Sequence, residues 1–107
     1  MSQSQFAENL KKLPGVSHLA AIRLFDGENE VAVVENKSGS HGTLVIYNHL
    51  AQTYGAITPD AARMGLRLYA EHADEAQRTP GKHPNIDRLA TLIEEKKTLR
   101  VKHVFAV

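Results

Sequence analysis

Ala21-Ile22-Arg23-Leu24-Phe25, Asp26-Gly27-Glu28-Asn29 and Val31-Ala32-Val33-Val34 are the segments that decide how this 107-residue chain folds. Two runs of strand-forming residues bracket an Asp-Gly pair, and glycine takes positive φ without a steric cost, so residues 19–34 read as a β-hairpin. Glu28 and Glu30 keep its tip wet. A two-stranded hairpin alone is marginal in water, so it needs a third strand and a cover. The third strand is found at the far end. Leu99-Arg100-Val101-Lys102-His103-Val104-Phe105-Ala106-Val107 alternates apolar and polar in its first half, as a strand with one wet face does.

The cover is helical. Ahead of the hairpin, Phe6, Ala7, Leu10 and Leu13 share one helical face, Ser2 and Gln5 have capping-box spacing, and Pro14-Gly15 stops the helix. After it, Leu44, Tyr47, Leu50, Ala51 and Tyr54 recur at helical spacing, with Thr43 as cap and Gly55 as terminator. Thr58-Pro59-Asp60 then has the N-cap, first-turn proline and acidic residue of a helix start. That third helix reads as continuous to Arg78, with a charged stripe opposite small residues that suit close approach to a neighbouring helix. The segment 79–84 breaks the chain, and Asn85 caps a fourth helix with Ile86, Leu89, Ala90 and Ile93 on its core face. The expected architecture is a single α+β domain over residues 1–107. It has a small antiparallel sheet, the hairpin plus the C-terminal strand, packed by helices in the order α-β-β-α-α-α-β.

Composition agrees with one ordinary globular domain: 42% hydrophobic and 23% charged residues, few aromatics and no tryptophan. Thirteen Lys and Arg against twelve Asp and Glu give a net charge of +1, too small a field to draw in nucleic acid or an anionic membrane. Zero cysteines exclude disulfides and thiol chemistry. Met1–Phe6 has neither the charged start nor the apolar core of a signal peptide, and no run is long enough to span a bilayer. The expected location is cytoplasmic, so the glycosylation sequon at Asn36-Lys37-Ser38 carries no meaning.

Phe6-Ala7-Glu8-Asn9-Leu10-Lys11-Lys12-Leu13-Pro14, Tyr47-Asn48-His49-Leu50-Ala51 and Pro80-Gly81-Lys82-His83-Pro84-Asn85-Ile86-Asp87 together resemble a family of short bacterial proteins known only as a domain of unknown function. The resemblance spans most of the chain. It implies a bacterial cytosolic protein, and no activity or functional residue comes with it.

Function must then be sought in constellations of residues, each weighed against a plainer role. The first is the loop from Lys37 to Gly42, where Ser38, Ser40, His41 and Thr43 add donors beside a helix N-terminus able to hold an anion. It matches no known phosphate loop, and its plain reading is a strand-to-helix connection. The second is Gly81-Lys82-His83-Pro84-Asn85, where His83 stands in place of the Ser or Thr of a phosphate loop and a rigid turn is the plainer reading. Six histidines show no H-x-x-x-H or H-E-x-x-H pair, so neither a metal nor any other cofactor is expected. His72 reads as a hydrogen-bonded histidine at the core margin. Tyr54, Tyr69, Glu71 and His72 could line an acid–base pocket only if the fold gathers them. Arg100 and Lys102 share a strand face that could touch phosphate, though without interleaved aromatics this argues against nucleic acid.

The leading expectation is a small binding or interaction domain without catalytic activity, acting on a protein partner or on a second copy of itself. Its contact surface would be a sheet edge or the Ala/Gly-rich face of the third helix. The rival is an anion-binding protein or enzyme built on Lys37, Ser38, Ser40, His41 and Thr43.

Overall fold

The Asp-Gly hairpin forms as the sequence demands. In the computed structural model, which describes residues 4–107, β1 (Leu19–Asp26) and β2 (Asn29–Glu35) pair antiparallel around Gly27, whose φ is 61°. The C-terminal strand β3 (Arg100–Phe105) pairs antiparallel with the other edge of β1, so the strand order is β2-β1-β3. The expected docking of the terminal strand is therefore present, and β1 is central.

Strand pairing also sorts the side chains. Ile22 and Leu24 of β1 lie opposite Val34 and Ala32 of β2 and opposite His103 and Val101 of β3, forming the covered face. Ile22 and Leu24 are fully buried. Arg23 and Phe25 lie on the opposite, wet face with Val33, Arg100 and Lys102. The ladder slips at Leu24/Phe25, where Ala32 and Glu30 are the successive partners and Val31 is the extra residue.

Five helices accompany the sheet: α1 (Gln5–Lys11), α2 (His41–Tyr54), α3 (Pro59–Tyr69), α4 (Glu71–Arg78) and α5 (Pro84–Glu95). The buried residues of α2 include Leu44, Val45, Ile46, Tyr47, Asn48, Leu50 and Ala51, a burial nearly all round that marks a central helix. It touches β1 and β2 as well as α3. Asn48, the one buried polar residue among those described, has Oδ1 3.2 Å from Nε2 of His103 on the sheet. The small residues of α3 do permit close approach, but within the chain. Ala61, Ala62 and Gly65 are buried, and a Cβ on Gly65 would come within 2.7 Å of Leu89 Cδ1 and 2.9 Å of Leu50 Cδ1. At Gly65 that face packs on α2 and α5.

Four local expectations need correction. The helix read as continuous from Thr58 to Arg78 is divided at Ala70, whose φ of 54° and ψ of −118° end α3 and start α4. The order read from the sequence otherwise holds. The N-cap of α2 is Ser40, not Thr43, and its hydroxyl donates to the Glu35 carbonyl (2.6 Å) instead of capping the first turn. The N-cap of α5 is His83, with Pro84 as first helical residue, so Asn85 already lies inside the helix. Ser2 lies outside the described residues, and the cap of α1 is Ser4, whose Oγ accepts from the Ala7 N–H. Thr58 caps α3 as expected, accepting from the Ala61 N–H at 3.0 Å.

Candidate functional site

A short helix of seven residues has little stability of its own, so α1 is placed by what it docks on. The Glu71 carboxylate accepts from the Ser4 hydroxyl and, at 3.0 Å, from the Phe6 N–H. Asn9 Nδ2 donates to the Leu68 carbonyl at 3.0 Å. These bonds set Phe6 nearly parallel to Tyr69 (centroids 5.9 Å) and edge-on to His72 (4.6 Å). Phe6 also rests on the first turn of α2, where a Cβ on Gly42 would come within 2.9 Å of its ring. Glycine at 42 is thus what lets α1 sit so close.

Two buried phenols hold the helices around this point. Tyr69 donates to Thr43 Oγ1 at 2.8 Å, tying α3 to α2, and burial pushes its phenol far above the usual range. Tyr47 donates to the Asn85 carbonyl at 2.6 Å and accepts from Arg88 at 3.2 Å, tying α2 to α5, and burial pushes it up to about 12. Both therefore stay protonated at neutral pH and act as struts, not bases.

Beside Tyr69 lies an open cleft of about 450 Å³. Its lining comprises Gly39, His41, Gly42 and Thr43 around the start of α2, Lys82, His83, Pro84, Asn85 and Ile86 around the start of α5, and Phe6, Leu10, Tyr69 and His72. The turn carrying Lys82 is fixed by the Gly81 N–H donating to Asp87 Oδ2 at 2.9 Å. Glu75 accepts from His83 Nε2 at 2.7 Å and pairs with Lys82 Nζ at 3.0 Å. The His83 hydrogen bond first, and then Lys82, hold its carboxyl well below the usual range, at about 2. His72 makes ring contacts with Phe6 and His83 (5.9 Å), and no hydrogen bond to it is present among the described residues.

The first turns of α2 and α5 both line this cleft, and neither is capped by a side chain. By contrast, α1 and α3 are capped by Ser4 and Thr58. An uncapped first turn presents free N–H groups and the positive end of the helix dipole. Here Pro84 has no N–H and the Ile86 N–H already reaches the His83 carbonyl, so α5 contributes chiefly the Asn85 N–H. Such N–H groups attract negative charge.

The residues singled out from the sequence divide as follows. His41 and Thr43 line the cleft, while Lys37, Ser38 and Ser40 do not. Lys37 pairs with Glu35 at 3.5 Å, Ser38 is exposed, and His41 Nδ1 lies 3.0 Å from Asn36 Oδ1. Of the possible acid–base set, Tyr69 and His72 reach the cleft; Tyr54 and Glu71 do not. The turn from Gly81 to Asn85, read as structural, contributes Lys82, His83, Pro84 and Asn85 to the lining. Phe6 and Leu10 went unread as site residues, because an apolar helix face carries no sign that distinguishes a cleft wall from core. Arg100 and Lys102 lie on the wet sheet face. There Arg100 donates to the Gly27 carbonyl at 2.7 Å, and Arg100 and Arg23 approach the Phe25 ring at 5.5 and 5.2 Å. Arg23 also pairs with Glu30. Those cations cover a half-buried aromatic at the hairpin end. Among the described residues no three His, Asp or Glu side chains gather as metal ligands, and no helix is long and apolar enough to cross a membrane.

Residues 6–103 match a family described as an uncharacterized protein conserved in bacteria (DUF2322), and the chain belongs to that family. Neither the curated proteins nor the solved structures contain a significant match.

Proposed function

We propose that this member of the DUF2322 family is a non-catalytic binding domain whose cleft between α2 and α5 receives a small anionic ligand. One observation carries the reading. Gly39, His41, Gly42 and Thr43 line one cleft together with the distant segment from Lys82 to Ile86, the first turns of α2 and α5 that meet there lack side-chain caps, and Lys82 adds an ammonium. Oriented N–H groups and a flexible ammonium favour negative charge, and a cleft of this size suits a small molecule. No reaction is assigned, and the two buried phenols are held protonated as struts.

Titration with inorganic phosphate tests this reading. The melting temperature of the protein rises saturably, since only ligands that prefer the folded state stabilise it. The rise is lost in Lys82→Ala and weakened in His41→Ala, whereas Lys37→Ala and Ser40→Ala leave it unchanged. Flat melting curves across the titration overturn the assignment.

A second reading rests on a different surface. Val31 and Val33 are 49% and 47% exposed on the edge strand β2, an apolar edge of the kind through which a sheet pairs with a second copy.

A further inference from the structure

We infer that the ligand of this cleft is a phosphate ester bearing a planar ring, of the nucleoside monophosphate class, and not a bare anion. The inference rests on the anion-binding reading above and adds the chemistry of the rest of the cavity. A phosphate held by Lys82 would occupy a small part of the roughly 450 Å³ available. The remaining lining includes Phe6, Leu10, Ile86 and the rings of His72 and His83, a wall that gains nothing from a bare anion. Four of the lining residues carry rings in mutual contact: Phe6 lies parallel to Tyr69 at 5.9 Å and meets His72 edge-on at 4.6 Å, and His72 meets His83 at 5.9 Å. A planar heterocycle has a π-face for such rings, and burying its apolar surface adds to the capture of the phosphate. Cationic groups beside apolar and aromatic ones are the complement of a molecule that is charged at one end and flat at the other.

Isothermal titration of the whole protein with AMP, ribose 5-phosphate and adenosine tests the inference and separates it from the reading beneath it. AMP is expected to bind about 10-fold more tightly than either fragment. Phe6→Leu, which keeps an apolar side chain over Gly42, is expected to bring AMP down to the affinity of ribose 5-phosphate without changing the latter. Equal binding of AMP and ribose 5-phosphate overturns the ring and leaves the anion site standing. Adenosine binding as well as AMP overturns both, and so does the absence of any binding. Should Phe6→Leu fail to fold, His72→Ala at the next ring takes its place; undiminished AMP affinity in the folded variant overturns the inference.

Discussion

Glu75 is where the cleft and the stability of the protein meet. Its carboxylate holds His83 and Lys82 in place, yet it competes for the same ammonium that would hold an anion. Glu75→Gln removes the negative charge and keeps an acceptor, so phosphate is expected to bind several-fold more tightly to the variant, as read by titration at pH 7. Acid should report the same carboxylate. Its folded value lies near 2, below the ordinary 4.5, so its contribution to stability is complete above about 4.5 and lost as pH falls towards 2. Glu71 shifts in the same direction, chiefly through the Ser4 hydroxyl. Glu75→Gln is therefore expected to flatten the fall in stability across that window in denaturant titrations monitored by circular dichroism. An unchanged slope would show that the ion pair contributes nothing in solution.

Among the elements, the junction of α3 and α4 is the one whose local sequence and geometry disagree. Ala70 has a Cβ and adopts φ 54°, a region that glycine enters readily and other residues do not. Nothing in Leu68-Tyr69-Ala70-Glu71 announces a break, since alanine is the best helix former. Contacts with other segments follow the break: Glu71 accepts from Ser4 and Phe6 at the start of α1, and Glu75 of α4 accepts from His83 and pairs with Lys82. Ala70→Gly is accordingly expected to stabilise the protein by about 1 kcal/mol, the relief of strain exceeding glycine's entropic cost. A lower melting temperature in Ala70→Gly would mean that the strain is absent in solution.

At the scale of the whole molecule, β2 and β3 are the edges of the three-stranded sheet among the described residues. The bulge that makes Val31 an extra residue is a common device for discouraging pairing between edges, yet it leaves two valines outside. Self-association through β2 predicts a dimer in light scattering that Val33→Lys returns to monomer. A wild-type protein that remains strictly monomeric at high concentration removes that surface from consideration.

Local signals settled much of this architecture. The Asp-Gly turn, the alternation in the terminal strand, Thr58-Pro59 at the head of α3 and Gly55 after α2 each act over a few residues, so the chain states them in order. These signals were enough for the α+β class and its antiparallel sheet. The cleft could not be stated that way. Its two main lining segments are separated by some forty residues, and they meet where Tyr47 and Tyr69 tie α5 and α3 to α2. Phe6 entered it through a glycine on another helix, and Lys37 left it by pairing with its neighbour Glu35. Spacing along the chain determines which elements form, because hydrogen bonding and periodicity are local. Which side chains share a cavity was decided only by packing, because contact between distant segments depends on where each helix is clamped.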